Sequence, residues 1–200
     1  GDGIDVESCH NVEIYNSTFE TGDDAICIKS GKNAEARTFE DPCENLYIHD
    51  CIVNEGHGGF VIGSEMSRDV KNILVENCTF AGTDVGIRIK SAMGRGGVVE
   101  DITIRNINMI DIKNEAVILT MGYVLNLLDK NETIAQVDES DVPYFKNILI
   151  EQIECNGCDT AVKIEPISGR ENTISDITIK DSVFAANKEN VINGENIVII

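Results

Sequence analysis

One short pattern recurs along this chain and limits what it can fold into: Asn or Asp, an apolar residue, any residue, an apolar residue. It reads Asn11-Val12-Glu13-Ile14, Asn45-Leu46-Tyr47-Ile48, Asn72-Ile73-Leu74-Val75, Asp101-Ile102-Thr103-Ile104, Asn147-Ile148-Leu149-Ile150, Asp176-Ile177-Thr178-Ile179 and Asn196-Ile197-Val198-Ile199. The spacings are 34, 27, 29, 46, 29 and 20 residues, and the two long ones hold polar inserts near 31–44 and 120–142. A second alternating segment recurs downstream of the first, at 25–29, 59–63, 86–90, 116–120 and 161–165. Alternation with period two is the mark of a strand, and no window of roughly 11–18 residues carries a sustained helical period.

Short strands at a long, regular period make a solenoid. With no helix per repeat, the expected architecture is all-β: a parallel β-helix of about seven coils, each supplying about three strands. The leading Asn or Asp of each unit then forms a polar ladder at one corner, bonding turn backbone. Cys9, Cys51 and Cys78 lie beside that strand and are expected to stack inside. Two hundred residues form one domain, 1–200. The chain starts inside a motif and stops in a strand-like run, so a fragment lacking coils and caps at both ends is expected.

The balance of 16 Lys and Arg against 35 Asp and Glu gives a net charge of −19, which argues against a nucleic-acid partner. No apolar run approaches the roughly 18–20 residues that span a bilayer. A monomer is expected, and the compartment stays open between secreted, periplasmic and cytoplasmic. The cysteines number seven and cannot all pair within the chain. Most occupy apolar positions, where they read as small buried hydrophobes. Cys155-Asn156-Gly157-Cys158 has no second ligand pair at zinc-like spacing.

Chemistry-bearing residues gather at glycine-rich turns: Gly1-Asp2-Gly3, Gly22-Asp23-Asp24, Gly56-His57-Gly58 and Arg88-Ile89-Lys90. Taken singly, each has a bland reading as turn chemistry, exposed loop or solvated face. In a stacked solenoid, however, residues one coil apart become neighbours about 4.7–4.9 Å apart. Asp2 and Asp23 are 21 residues apart, close to one coil, and His57 and the cations follow on later coils. Arg88 and Lys90 alternate with isoleucine and point to the same face. Clustered carboxylates suit glycoside hydrolysis, where one carboxyl protonates the leaving oxygen and another activates water. Crowding favours retention of a proton by one of them. Two cations on the same face suit a sugar carboxylate.

These motifs, in this order, resemble glycoside hydrolase family 28, the polygalacturonases and their relatives. The surroundings match too: Gly-Asp-Asp-Ala-Ile-Cys-Ile-Lys-Ser-Gly at 22–31, Gly-His-Gly-Gly-Phe-Val-Ile-Gly-Ser at 56–64 and Gly-Ile-Arg-Ile-Lys-Ser-Ala-Met-Gly-Arg-Gly-Gly at 86–97. The resemblance covers 1 to about 125 closely and the rest more loosely. It implies a right-handed parallel β-helix and inverting hydrolysis of α-1,4 bonds in galacturonan, an anionic polysaccharide, with neither metal nor cofactor. It also implies roles: Asp23 as general acid, Asp2 and Asp24 as the pair that activates water, His57 as their helper. Arg88 and Lys90 would hold the galacturonate carboxylate, and Tyr123 falls where the family has a substrate-contacting tyrosine. Lys29 and Arg95 are read as solvated surface.

Three alternatives share the fold: a hydrolase of rhamnogalacturonan or xylogalacturonan, a Ca²⁺-dependent lyase, and a non-catalytic binding module. The insert at 31–44 is expected to wall one end of the groove, which would favour cutting from chain ends.

Overall fold

A computed structural model describes residues 1–39, 41–123 and 138–200. In chain order the strands are β1 (Ile4–Glu7), β2 (His10–Tyr15), β3 (Thr18–Phe19), β4 (Asp24–Lys29), β5 (Cys43–His49), β6 (Ile52–Ile62), β7 (Val70–Lys90), β8 (Val98–Ile110), β9 (Glu115–Thr120), β10 (Tyr144–Glu165), β11 (Ile174–Lys180), β12 (Val183–Lys188), β13 (Val191–Ile192) and β14 (Glu195–Ile199). Every pairing between them is parallel and runs from one coil to the next. The long strands β7 and β10 turn corners and contribute to all three sides of the coil. The result is the parallel β-helix expected from the repeats, with the right-handed form that the family resemblance implies.

The core is a set of side-chain stacks along the axis. On the first side, Val12, Leu46, Ile73, Ile102, Ile148, Ile177 and Ile197 lie in register. On the second, Phe19, Val53, Phe80, Met109, Cys155 and Phe184 do so. On the third, Ile4, Ile26, Phe60, Ile87, Val117 and Val162 form the inner row. Phe60, Phe80 and Phe145 are fully buried. Cys51, Cys78 and Cys155 join these stacks as free thiols. Burial drives the thiols of Cys78 and Cys155 up to about 12, well out of the nucleophilic range.

The Asn/Asp ladder stands at the entrance to the first side. Asn11, Asn45, Asn72, Asp101, Asn147, Asp176 and Asn196 all have φ between 53° and 60°, the left-handed region that Asn and Asp tolerate best. The Asn72 side chain donates to that of Asn45, Asn147 to Asp101 and Asn196 to Asp176. A second ladder, not read from the sequence, stands five residues on: Asn16, Asp50, Asn77, Asn106, Gln152 and Asp181 are also left-handed. Two such corners bracket each first-side strand.

The insert at 31–44 holds a helix, α1 (Asn33–Phe39), which the absence of helical period did not anticipate. Ala34, Glu35, Ala36 and Arg37 are good helix formers, with Glu35 in the first turn and Arg37 in the last. Among the described residues no helix is long and apolar enough to cross a membrane. Of the second insert, 124–137 lie outside the described residues.

Candidate active site

The site is built on the third side, where outward positions alternate with the Ile26 and Phe60 rows. Gly3 N–H donates to the Asp24 carbonyl at 2.9 Å, so Asp2 stands one coil before Asp23 and Asp24. His57 N–H donates to the Asp23 carbonyl at 2.9 Å, which sets the Gly56-His57-Gly58 turn one coil later. Arg88 and Lys90 follow on β7, in register with Val61 and with the position after Ile62. A pocket of about 300 Å³ results, lined among others by Asp2, Asp23, Asp24, Lys90 and Tyr123. His57 faces an adjoining depression of about 220 Å³ with Asp84 and Lys113.

Asp24 is the most enclosed of the carboxylates. It is 3% exposed and Lys90 only 6%, and Lys90 Nζ lies 2.5 Å from Asp24 Oδ2. Arg88 approaches Oδ1 at 4.0 Å. That oxygen is buried and makes no hydrogen bond within the protein. A Cβ on Gly58 would stand 3.2 Å from Oδ1 and 2.4 Å from Val61 Cγ2, so glycine keeps this space open.

Asp23 is half exposed. Its Oδ1 accepts from Asp24 N–H at 3.0 Å and lies 3.1 Å from His57 Nδ1. The other ring nitrogen of His57 is 3.8 Å from Asp84, which Lys113 holds at 3.0 Å. The Tyr123 ring lies under both cations, 4.6 Å from Lys90 Nζ and 5.6 Å from the Arg88 guanidinium. Such contacts hold the cations over one wall of the pocket.

Lys29 and Arg95 do not occupy the solvated positions expected of them. Arg95 is 4% exposed, hydrogen-bonded to Asn33, Ser64 and Glu65. The loops after β6 and β7 and the start of α1 fold over it, an enclosure that no local pattern reveals. Lys29 Nζ lies 2.7 Å from Asp5 and 3.2 Å from Asp2. Burial pushes the Asp2 carboxyl above its ordinary value, against the pull of Lys29. For Asp5 burial acts in the same direction, but the hydrogen bond and charge of Lys29, joined by hydrogen bonds with Asp2 and Cys27, lower it.

Asp2, Asp5 and Cys27 offer ligand atoms within 4.8 Å of one another, but the Lys29 ammonium already bridges the two carboxylates. That donor set therefore does not fit a calcium ion, which takes several oxygens at once. Asp5, Asp84 and Lys113 escaped the reading of the sequence. For Asp5 the signal was there: it alternates with Ile4 and Val6 and so shares the outward row with Glu7, three residues after Asp2.

Fold and site define a β-helical protein whose third side carries carboxylates and cations in one open groove. The chain belongs to the glycosyl hydrolases family 28, whose family model matches residues 1–195. An exo-poly-α-D-galacturonosidase of Dickeya chrysanthemi is 31% identical over 172 residues, 86% of this chain and 28% of that protein. The crystal structure of a hyperthermoactive exopolygalacturonase from Thermotoga maritima superposes with a TM-score of 0.86 at 28% identity, covering 99% of this chain and 44% of that one. A polygalacturonase from Erwinia carotovora superposes at 0.78 with 26% identity, over 98% of this chain and 46% of that one. This chain spans less than half the length of each of these relatives.

Proposed function

We propose that this β-helix carries the catalytic groove of a polygalacturonase, hydrolysing α-1,4 bonds of galacturonan or its oligomers with inversion. The observation that carries the reading is the convergence of Asp2, Asp23, Asp24, Lys90 and Tyr123 on one pocket. Asp23, the exposed carboxyl, serves as general acid toward the leaving oxygen. His57 at 3.1 Å fixes its rotamer. Asp24, whose Oδ1 makes no hydrogen bond within the protein, is one of the two carboxylates that activate the attacking water. Asp2 completes the pair that takes the water's proton. Arg88 and Lys90 meet the uronate carboxylate, and Tyr123 backs both cations.

The same reading extends to cleavage from chain ends. Arg37 of α1 binds Asp141 at 2.6 Å and the Arg95 carbonyl at 3.1 Å, so the insert is tied to the rim of the pocket. The names of the Dickeya and Thermotoga relatives agree with this mode.

The test is product analysis on polygalacturonate. New reducing ends without the ultraviolet absorbance of unsaturated sugars are expected, released one or two units at a time. Unsaturated products would identify a lyase, and a ladder of mixed oligomers would overturn the chain-end mode. Asp23→Asn should lower kcat by roughly 10²–10⁴-fold while oligomer binding persists. Undiminished turnover would remove Asp23 from its role.

A further inference from the structure

Lys29 and Lys90 extend one outward row, two coils apart, with Gly63 between them. A Cβ on Gly63 would lie 2.0 Å from the Lys90 carbonyl oxygen, at φ +92°, so no side chain can stand between the two ammonium groups. Each ammonium sits on one carboxylate of the proposed water-activating pair: Lys90 on Asp24 at 2.5 Å, Lys29 on Asp2 at 3.2 Å. Lys29 differs in having a second anchor, Asp5, at 2.7 Å. Asp5 lies on β1 and Lys29 on β4, so the bridge ties Asp2 to the outward face of the first two coils. The Asp2 side chain is 17% exposed, that of Lys29 22% and that of Asp5 45%.

We propose that Asp5 and Lys29 act as a positioning pair for the reaction. Lys29 holds Asp2 ionised and correctly turned, and Asp5 sets how much of the ammonium Asp2 receives. The inference rests on the reading of Asp2 as part of the base.

The pair must matter because burial works against ionised Asp2. Besides the bridge, the pocket brings Asp23, Asp24 and Glu65 against Lys32, Lys90 and Arg95. The buried Cys27 thiol, on the same face, is held neutral by desolvation and adds no charge. Among the described residues Lys29 is the one cation in hydrogen-bond contact with Asp2, and its hydrogen bond and charge pull the Asp2 carboxyl down. Asp5 acts with the opposite sign, raising Asp2 by its side-chain hydrogen bond and then by its charge. The two members should therefore move the titration of Asp2 in opposite directions.

The experiment is the pH profile of kcat and KM on polygalacturonate, measured with the whole protein. In Lys29→Met the acid limb of kcat should move to higher pH by about half a unit or more, with KM changed less than about twofold. Lys29→Arg should return most of the shift. In Asp5→Asn the limb should move to lower pH, and that variant keeps the question open to test if Lys29→Met fails to fold. A tenfold rise in KM with an unmoved limb would make Lys29 a substrate ligand and overturn the proposal. So would limbs that move in the same direction in both variants. Asp2→Asn, run alongside, separates the two levels: kcat kept above about a tenth of wild type would refute Asp2 as base, independently of Lys29.

Discussion

Lys90 and Asp24 are both almost wholly enclosed, and each is the other's principal counter-charge. Lys90→Met leaves a buried carboxylate with only Arg88 at 4.0 Å to offset it. The cost should be on the order of 3 kcal/mol of stability, read from urea unfolding, besides the loss of turnover. His49 offers a second test, on the opposite flank. Its imidazole bonds Asp50 at 2.6 Å and Glu13 at 3.2 Å, and the Asp50 bond, more than the Glu13 bond, raises its pKa above the ordinary value. The protonated ring therefore favours the folded state. Its contribution is complete below the ordinary histidine range and fades as pH rises through the folded value. His49→Gln should flatten the fall in stability between about pH 6 and 8. An unchanged pH dependence would mean that these contacts leave the titration of His49 alone. At this scale the sequence displayed its chemistry unevenly. Asp23, Asp24, His57, Arg88 and Lys90 stood in motifs. Arg95 looked solvated because charge is visible in a sequence and burial by distant loops is not.

The strands owe their register to the corners that flank them. Asn72 has φ 56° and donates to Asn45 across the coil boundary. Asn72→Ala forces an alanine into the left-handed region and removes the bond, and should cost about 1–2 kcal/mol. Asn72→Gly restores the backbone freedom and loses only the bond, so it should cost less than about 1 kcal/mol. Equal losses in thermal unfolding would show that backbone conformation is not what selects Asn there. The first ladder was legible because each of its members precedes an apolar-x-apolar strand. The second was less plain: Gln152 departs from the Asn or Asp of the other five, and Ser17 and Ser182 break the apolar position that follows. The short helix α1 went unseen for a related reason: seven residues are too few to display a period.

At the scale of the molecule, a net charge of −19 surrounds a groove that carries Arg88, Lys90, Lys29 and Arg95. A polyanionic substrate meets repulsion at long range and attraction at contact. Salt shortens the reach of the first, from about 30 Å at 0.01 M to about 10 Å at 0.1 M, and weakens buried contacts much less. kcat/KM on polygalacturonate should therefore rise over that interval of ionic strength. A fall would mean that the local cations dominate the encounter. The solenoid itself was the most legible feature, because one pattern repeated seven times carries its own confirmation.

Corners five residues apart also act as a ruler. Between Asn11 and Asn16, Asn45 and Asp50, or Asn72 and Asn77, the chain can neither gain nor lose a residue without breaking a ladder. The surplus length of the two long units falls elsewhere, between Lys29 and Cys43 and between Thr120 and Tyr144. Those stretches begin beside Lys32 and Tyr123, at the mouth of the pocket. Insertions and deletions that the scaffold tolerates are thus delivered to the rim of that pocket. Loop length can therefore vary at the mouth of the pocket while the corners keep their five-residue spacing.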